Sequence, residues 1–332
     1  MKDSFPLSMH TRLTDANGLG YAEFFLRAKS ANANLKTHAI AGFLEHIRGR
    51  LRYDPEVLPI IVWDGRAQWR YDLLSTYKSG RNRTPEQQAA RIAYEAQRVF
   101  IQRALRFFPV IQVCHPGAEA DDVGYGLSHA LAAQGHLVDL DTADTDWLQT
   151  VAARVRWMNA RKRGAAVERD GFEQATGFAT PHLYAQGKAL AGDDTDDIVG
   201  VTGIAMGRSA TLIKKYGNLE GVLSAAEDLF AFSQEPKYFH QLMLPEVRER
   251  VRQNLPLVDL SMGPVLKGSD IEVVVGEFEE LELAEFFSEH NLMDFLEDWL
   301  KWERALSRPL KRADVLAVQR AVQNIEQSWP LR

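Results

Sequence analysis

The chain has 332 residues, 45% hydrophobic and 25% charged, which is ordinary for a globular protein and long enough for one large domain with an appendage or for two domains. Its net charge of −6, taken alone, argues against a nucleic-acid partner, and its single cysteine, Cys114, excludes an internal disulfide and fits a reducing compartment. No apolar run approaches the roughly 18 residues of a membrane helix, and Met1 to His10 lacks the apolar core of a signal peptide, so a cytoplasmic protein without a membrane partner is expected.

In chain order, a short strand is expected over Thr11 to Thr14, ending at Asp15. Tyr21 to Arg50 reads as helical, with Phe24, Phe25, Ile40, Phe43, Leu44 and Ile47 as apolar positions. Leu58 to Trp63 is a continuous apolar run of the buried parallel type, closed by Asp64 and Gly65. Tyr77 to Thr84 is polar, basic and glycine-containing, hence a loop. Thr84 and Pro85 then suit the N-cap and first position of a helix running to Phe107. Val110 to Val113 is another strand. Glu119 to Gln134 is a helix with Val123, Leu127 and Leu131 on one face and Gly135 at its end. His136 to Leu140 is a strand leading into Asp141, Asp144 and Asp146. Arg154 to Gly171 reads as basic and irregular. Beyond Tyr184 the strands largely stop. Gly200 to Ile204 is a glycine hairpin, Gly207 to Tyr216 a short helix, Ile271 to Trp302 an acidic amphipathic stretch, and Ala313 to Trp329 a last helix.

Strands alternating with amphipathic helices predict an α/β fold with a mostly parallel sheet, whose ligands gather at the carboxyl ends of the strands. Asp15, Asp64, Asp144 and Asp146 fall there. Crowded carboxylates raise each other's pKa, and a fold that gathers them needs a divalent cation. Oxygen-only ligands favour Mg²⁺ or Mn²⁺ over zinc, and an open site of that kind suits phosphodiester hydrolysis with two metals. The charge map adds a basic block, Arg66, Arg70, Lys78, Arg81, Arg83, Arg91, Arg98, Arg103 and Arg106, just before an acidic block from Glu119 to Asp146 that contains no Lys or Arg. A phosphate-binding wall over a metal-binding floor and a merely solvated basic helix explain that pattern about equally well. The glycine hairpin between short helices exposes backbone N–H groups that can hold phosphates without reading bases.

Six ordered motifs, spread over roughly Thr11 to Leu260, resemble the flap endonuclease and 5′-nuclease family of stand-alone phage and bacterial exonucleases and of the 5′-nuclease domain of DNA polymerase I. They are Val62-Trp63-Asp64-Gly65, Tyr77-Lys78-Ser79-Gly80-Arg81, Glu119-Ala120-Asp121-Asp122, Asp144-Thr145-Asp146-Trp147, Gly192-Asp193-Asp194-Thr195-Asp196-Asp197-Ile198 and Gly200-Val201-Thr202-Gly203-Ile204. Three departures stand out: Ala16 follows Asp15 where glycine is usual, Ala205 replaces another usual glycine, and Asp197 replaces a common Asn.

The resemblance implies a PIN-like catalytic domain over residues 1–183, with a helical arch at about 77–108. It also implies a helix-three-turn-helix DNA-binding region over 184–265 and leaves an acidic helical extension over 266–332. It implies a monomeric 5′–3′ exonuclease or structure-specific flap endonuclease acting on DNA with 5′ ends, flaps or nicks, or on RNA primers, in replication and repair. Two Mg²⁺ or Mn²⁺ ions are implied: Asp64, Glu119, Asp121 and Asp144 around one, and Asp146, Asp193 and Asp196 around the other. Asp15 belongs to the same acid set, and Asp122 acts through water or by supporting the metal's direct ligands. Lys78 touches the scissile phosphate, and Arg81, Arg83, Arg91 and Arg98 guide the strand, with a solvated helix face as the alternative for Arg91 and Arg98. Gly203, Ala205, Arg208, Lys214 and Lys215 grip the duplex, and carbonyls of Val201 and Ile204 hold K⁺. A PIN-like ribonuclease shares the acidic sheet edge, but the arch segment and hairpin argue against it. A non-catalytic DNA-binding relative is disfavoured by the intact Asp193 and Asp196.

Overall fold

The computed structural model describes residues 8–28, 37–82, 84–159, 166–232 and 239–329. Its strands in chain order are β1 (His10–Asp15), β2 (Val57–Trp63), β3 (Ile111–Cys114), β4 (Leu137–Thr142), β5 (Val155–Asn159), β6 (Ala166–Val167), β7 (Gly192–Asp193), β8 (Ile198–Val199) and β9 (Glu272–Val275). Seven of them form one sheet in the order β6-β5-β4-β1-β2-β3-β9, while β7 and β8 pair separately. The five inner strands are parallel, and β6 and β9 close the two edges antiparallel.

The parallel strands are joined by helices. α1 (Ala16–Ala28) and α2 (His38–Tyr53) connect β1 to β2, α3 (Gln68–Leu73) and α4 (Pro85–Ala104) connect β2 to β3, and α5 (Ala120–Ala133) connects β3 to β4. α4 opens with a reciprocal capping box between Thr84 and Gln87 and has Pro85 in its first turn, as the sequence suggests. Strand β1 is weak by propensity yet lies in the middle of the sheet. Leu13 is fully buried, Thr11 donates its hydroxyl to the Leu137 carbonyl at 3.1 Å, and Arg12 pairs with Asp54 at 2.7 Å. Tertiary pairing thus overrides weak local preference.

Two expectations need correction. The single helix expected over Tyr21 to Arg50 is two helices, α1 and α2. The segment from Arg154 to Gly171, of which 160–165 lie outside the described residues, is not irregular throughout, because it supplies β5 and β6. Val155 and Trp157 are buried while Arg156 pairs with Asp139 of β4 at 2.5 Å. Arg156, on the opposite face of this strand, hides the period-two pattern that its buried face carries.

After β6 come α6 (Phe172–Thr176), α7 (Pro181–Ala191), α8 (Met206–Tyr216), α9 (Leu219–Ser224), α10 (Ala226–Phe232) and α11 (Pro245–Val258). The tail then adds α12 (Glu280–Glu289), α13 (Met293–Glu297), α14 (Trp299–Leu306) and α15 (Arg312–Gln323). It is also part of the sheet, through β9. Leu283, Phe286, Phe287, Phe295 and Trp302 share a core with Ile40, Phe43 and Leu44 of α2 and with Ile61 and Trp63 of β2. Val318, Val322, Ile325 and Trp329 join the core that holds Val123 and Leu127 of α5. Among the described residues, no helix is long and apolar enough to cross a membrane.

The tail also clasps the end of α4. Gly276 donates its N–H to Val110, and Glu277 to the carbonyl of Arg106, at 2.9 and 3.0 Å. A Cβ on Gly276 would stand 2.2 Å from the Phe108 carbonyl oxygen and 2.5 Å from that of Leu105, both backbone atoms that cannot step aside. Gly276→Val is therefore expected to destabilise the fold by about 2 kcal/mol or more. Urea unfolding would show this, and an unchanged midpoint would count against the clasp.

Candidate active site

Acidic residues converge where the sheet topology reverses. From β1 the chain moves to β2 and β3 on one side, and returns to β4 on the other, which leaves a crevice at the carboxyl ends. β1 ends on Asp15, Asp64 follows β2, Glu119 and Asp121 stand at the start of α5, and Asp144 and Asp146 follow β4. A fifth source is the β7–β8 hairpin, with Asp193 at the end of β7 and Asp196 in the loop that follows it. Gly192 has φ +80° there, and a Cβ on it would lie 2.3 Å from the Gly200 nitrogen, so only glycine lets the hairpin close. All eight carboxylates and Lys78 line one cavity of about 470 Å³, with Asn17, Tyr21 and Trp147.

The acids are held individually. Asp15 accepts the Gly18 N–H at 2.8 Å and the Thr142 hydroxyl at 2.9 Å. Asp64 accepts from the Asn17 amide at 2.6 Å and the Ala120 N–H at 2.7 Å. Asp144 accepts the Asp146 N–H at 2.9 Å. Glu119 takes the Lys78 ammonium at 2.5 Å and the Tyr77 hydroxyl at 2.9 Å, and Tyr77 also lies 2.9 Å from Asp196. Lys188 of α7 bridges Asp146 and Asp193, standing 2.8 Å from the latter.

Some assignments land elsewhere. Asp122 does not line the cavity. Both of its oxygens take Arg70 at 2.7 Å, and one also accepts the Glu119 N–H at 3.0 Å, so it caps α5 and anchors Arg70. Arg98 is not solvated, because it donates to the Asp64 carbonyl at 2.7 Å and lies over the Trp63 ring. Arg83 and the side chain of Arg81 lie outside the described residues. Sequence reading missed Lys188 and Arg70. A lysine set among the buried Ala185, Ala189 and Leu190, five residues before Asp193, is a usable signal for the first. Nothing local marks Arg70, which is 1% exposed and depends on Asp122 and on the Leu257 carbonyl from a distant helix.

In the hairpin, Gly203 has φ +84° and its carbonyl accepts the Arg208 guanidinium, while the Gly200 carbonyl accepts Arg250 at 3.1 Å. The Val201 carbonyl accepts the Ile204 N–H at 2.9 Å. Ala205, the N-cap of α8, has no capping side chain, so no side-chain oxygen covers the first amides of that helix. Lys214 pairs with Glu173 at 2.8 Å, and Lys215 lies over the Tyr216 ring.

Burial, and after it the neighbouring Asp64, pushes Asp15 up to about 6. Burial likewise raises Asp146 to about 6, against the pull of Lys188, and raises Asp121 and Asp144. Burial also acts upward on Glu119 and Asp193, but Lys78 with Arg70 in one case and Lys188 in the other bring them below the usual range. The raised acids are charges the fold gathers at a cost. An acid whose pKa is higher when folded weakens the fold as pH rises from its unfolded value through its folded one. Asp15→Asn is therefore expected to stabilise the metal-free protein by up to about 3 kcal/mol at pH 7, a gain that vanishes below about pH 4. Melting in chelator across pH would show this, and a pH-independent effect would contradict it.

Among the described residues, no group of three or more His, Cys, Asp or Glu side chains is arranged to hold a metal ion as it stands. Lys78 and Lys188 stand between the acids instead. The donor set itself is oxygen-only and carries raised carboxylates, which fits a hard divalent cation.

Residues 10–177 match the family described as 5′-3′ exonuclease, N-terminal resolvase-like domain. The thermostable DNA polymerase I of Thermus thermophilus is 28% identical over 288 residues, which are 85% of this chain and 33% of that protein. DNA polymerase I of Bacillus subtilis is 24% identical over 277 residues, 81% of this chain and 31% of that protein. The chain thus spans about a third of the length of these relatives. Among solved structures, the bacteriophage T5 5′-exonuclease with bound zinc superposes with a TM-score of 0.62 at 20% identity, covering 85% of this chain and 98% of that one. The catalytic core of Rad2 in complex with DNA gives 0.58 at 16% identity, covering 91% and 92%. These likenesses agree in fold, and with the match over β1 to α6 they establish that the chain belongs to the 5′-3′ exonuclease family, through its N-terminal resolvase-like domain.

Proposed function

We propose that this protein hydrolyses phosphodiesters near the 5′ ends of DNA, as a 5′–3′ exonuclease and flap endonuclease that depends on divalent cations. The observation that carries the reading is the single crevice where eight carboxylates from five chain segments meet Lys78, in a chain of this family. Asp64, Glu119, Asp121 and Asp144 on one side, and Asp146, Asp193 and Asp196 on the other, would hold two Mg²⁺ or Mn²⁺ ions, with Asp15 beside them. Bound there, the ions supply activation of water and neutralisation of phosphate charge.

The chain's own groups do the rest. Asn17 and the Ala120 N–H orient Asp64. Lys78 brings a positive charge to the scissile phosphate as negative charge builds on its oxygens. Lys188 screens Asp146 and Asp193 from each other. Arg81 and Arg83 guide the strand along the arch at about 77–108. Residues 1–183 form the catalytic region in this reading, and 184–265 the duplex grip, where Gly203, Ala205, Arg208, Lys214 and Lys215 face phosphates. K⁺ on the Val201 and Ile204 carbonyls belongs to the same grip. The protein acts as a monomer.

Phosphate contacts are sequence-blind and salt-sensitive. Replacing Lys214 and Lys215 with Ala together is expected to weaken duplex binding equally on unrelated sequences. The slope of log affinity against log salt should fall by roughly one to two units. An unchanged slope would mean that Lys214 serves only Glu173.

The reading is tested with end-labelled 5′-flap and nicked duplexes, and with the same strands in RNA, in Mg²⁺ and in chelator. Cutting of the DNA near its 5′ end, only with the cation, is expected. Cutting of RNA alone would favour the ribonuclease reading, and duplex binding without cutting would favour a non-catalytic relative.

A further inference from the structure

Two loops of this crevice are locked together in an unusual way. Among the described residues, only Lys78, Asp197 and Asn291 are non-glycine residues with positive φ, and the first two, at +54° and +58°, lie on two segments that hydrogen-bond to each other. The Lys78 N–H donates to the Asp196 carbonyl at 3.0 Å, and the Gly80 N–H donates to the Asp197 carboxylate at 2.5 Å. The Tyr77 hydroxyl reaches the Asp196 carboxylate at 2.9 Å. Tyr77, Lys78 and Gly80 are thus each fastened onto residues 196 and 197. The left-handed turn at Lys78 sends its ammonium to Glu119 at 2.5 Å and to within 3.6 Å of Asp196. A backbone held in a sparsely populated region needs its surroundings to keep it there, and Asp197 is the side chain that receives the loop two residues beyond Lys78.

We propose that Asp197 is a positioning residue for cleavage. Its carboxylate and its own left-handed turn dock the Lys78 loop on the hairpin that carries Asp193 and Asp196. The cation that meets the phosphate and the acids that hold the metal are then set by one junction. The proposal rests on the nuclease reading above.

The test is a double-mutant cycle with Lys78→Ala, read as single-turnover cleavage of a 5′ flap at saturating substrate and Mg²⁺. Asp197→Gly keeps the left-handed turn but deletes the acceptor, and is expected to slow cleavage about tenfold, with duplex affinity in Ca²⁺ unchanged. Asp197→Asn keeps both the acceptor and a residue tolerant of that turn, and should stay within about threefold of the unsubstituted protein. In the Lys78→Ala background Asp197→Gly should cost nothing more, because its effect runs through Lys78. If Asp197→Gly does not fold, Asp197→Ser, whose hydroxyl is too short to reach Gly80, takes its place with the same expectations. Full activity in Asp197→Gly, or equal slowing with and without Lys78, overturns the assignment and leaves the nuclease reading intact. An unsubstituted protein that does not cut the flap overturns both.

Discussion

Asp144→Asn is expected to lower the single-turnover rate of flap cleavage by ~10³-fold or more, while duplex affinity measured in Ca²⁺ stays nearly the same. The carboxylate follows β4 in the acidic crevice, where burial raises its pKa. Its contact within the protein is the Asp146 N–H, at 2.9 Å. An Asn oxygen can accept that N–H equally well, so the turn into Asp146 should survive. What disappears is one negative charge, the feature that a divalent cation needs and that a phosphate does not. Binding should therefore be spared or slightly strengthened. Loss of duplex affinity in parallel with loss of cleavage would count against Asp144 as a metal ligand.

Lys78→Ala should slow the same step by ~10²-fold or more at saturating substrate, with little change in the Mg²⁺ concentration needed for half the rate. Lys78 reaches the Glu119 carboxylate at 2.5 Å, so it lies at the acids themselves and not on an outer binding surface. Its charge can therefore act where phosphate charge develops. Glu119 keeps Arg70 at 3.3 Å and the Tyr77 hydroxyl at 2.9 Å, so the acid stays anchored when the lysine is gone. If saturating substrate restores the full rate, Lys78 only assists binding.

The parts of this molecule that could be read from sequence are those where local pattern and chemistry coincide. Val57–Trp63 is a continuous apolar run with an acid after it, and it folds as an inner strand with Asp64 at its carboxyl end. The acid motifs sit on turns after strands, so the topology alone carries them to one crevice. Other features depended on distant partners. Asp122 looks like its neighbour Asp121, but the helix turns it towards Arg70, and only the fold shows that Arg70 is buried there. Strand β5 is masked by Arg156, whose partner, Asp139, lies on another strand. Strand β9 is a tail segment that becomes a strand by completing the edge of β3. Lys188 lay within reach of sequence reasoning, as a lone cation on an apolar helix leading into an acidic loop.

Crystals grown with Mn²⁺, at a concentration that supports cleavage, test the metal centre most directly through anomalous scattering. Two peaks are expected inside the crevice, one among Asp64, Glu119, Asp121 and Asp144 and one beside Asp146, Asp193 and Asp196, with the Lys188 ammonium moved off Asp146. A crevice without peaks, in which Lys78 and Lys188 still bridge the acids as they do here, would contradict it.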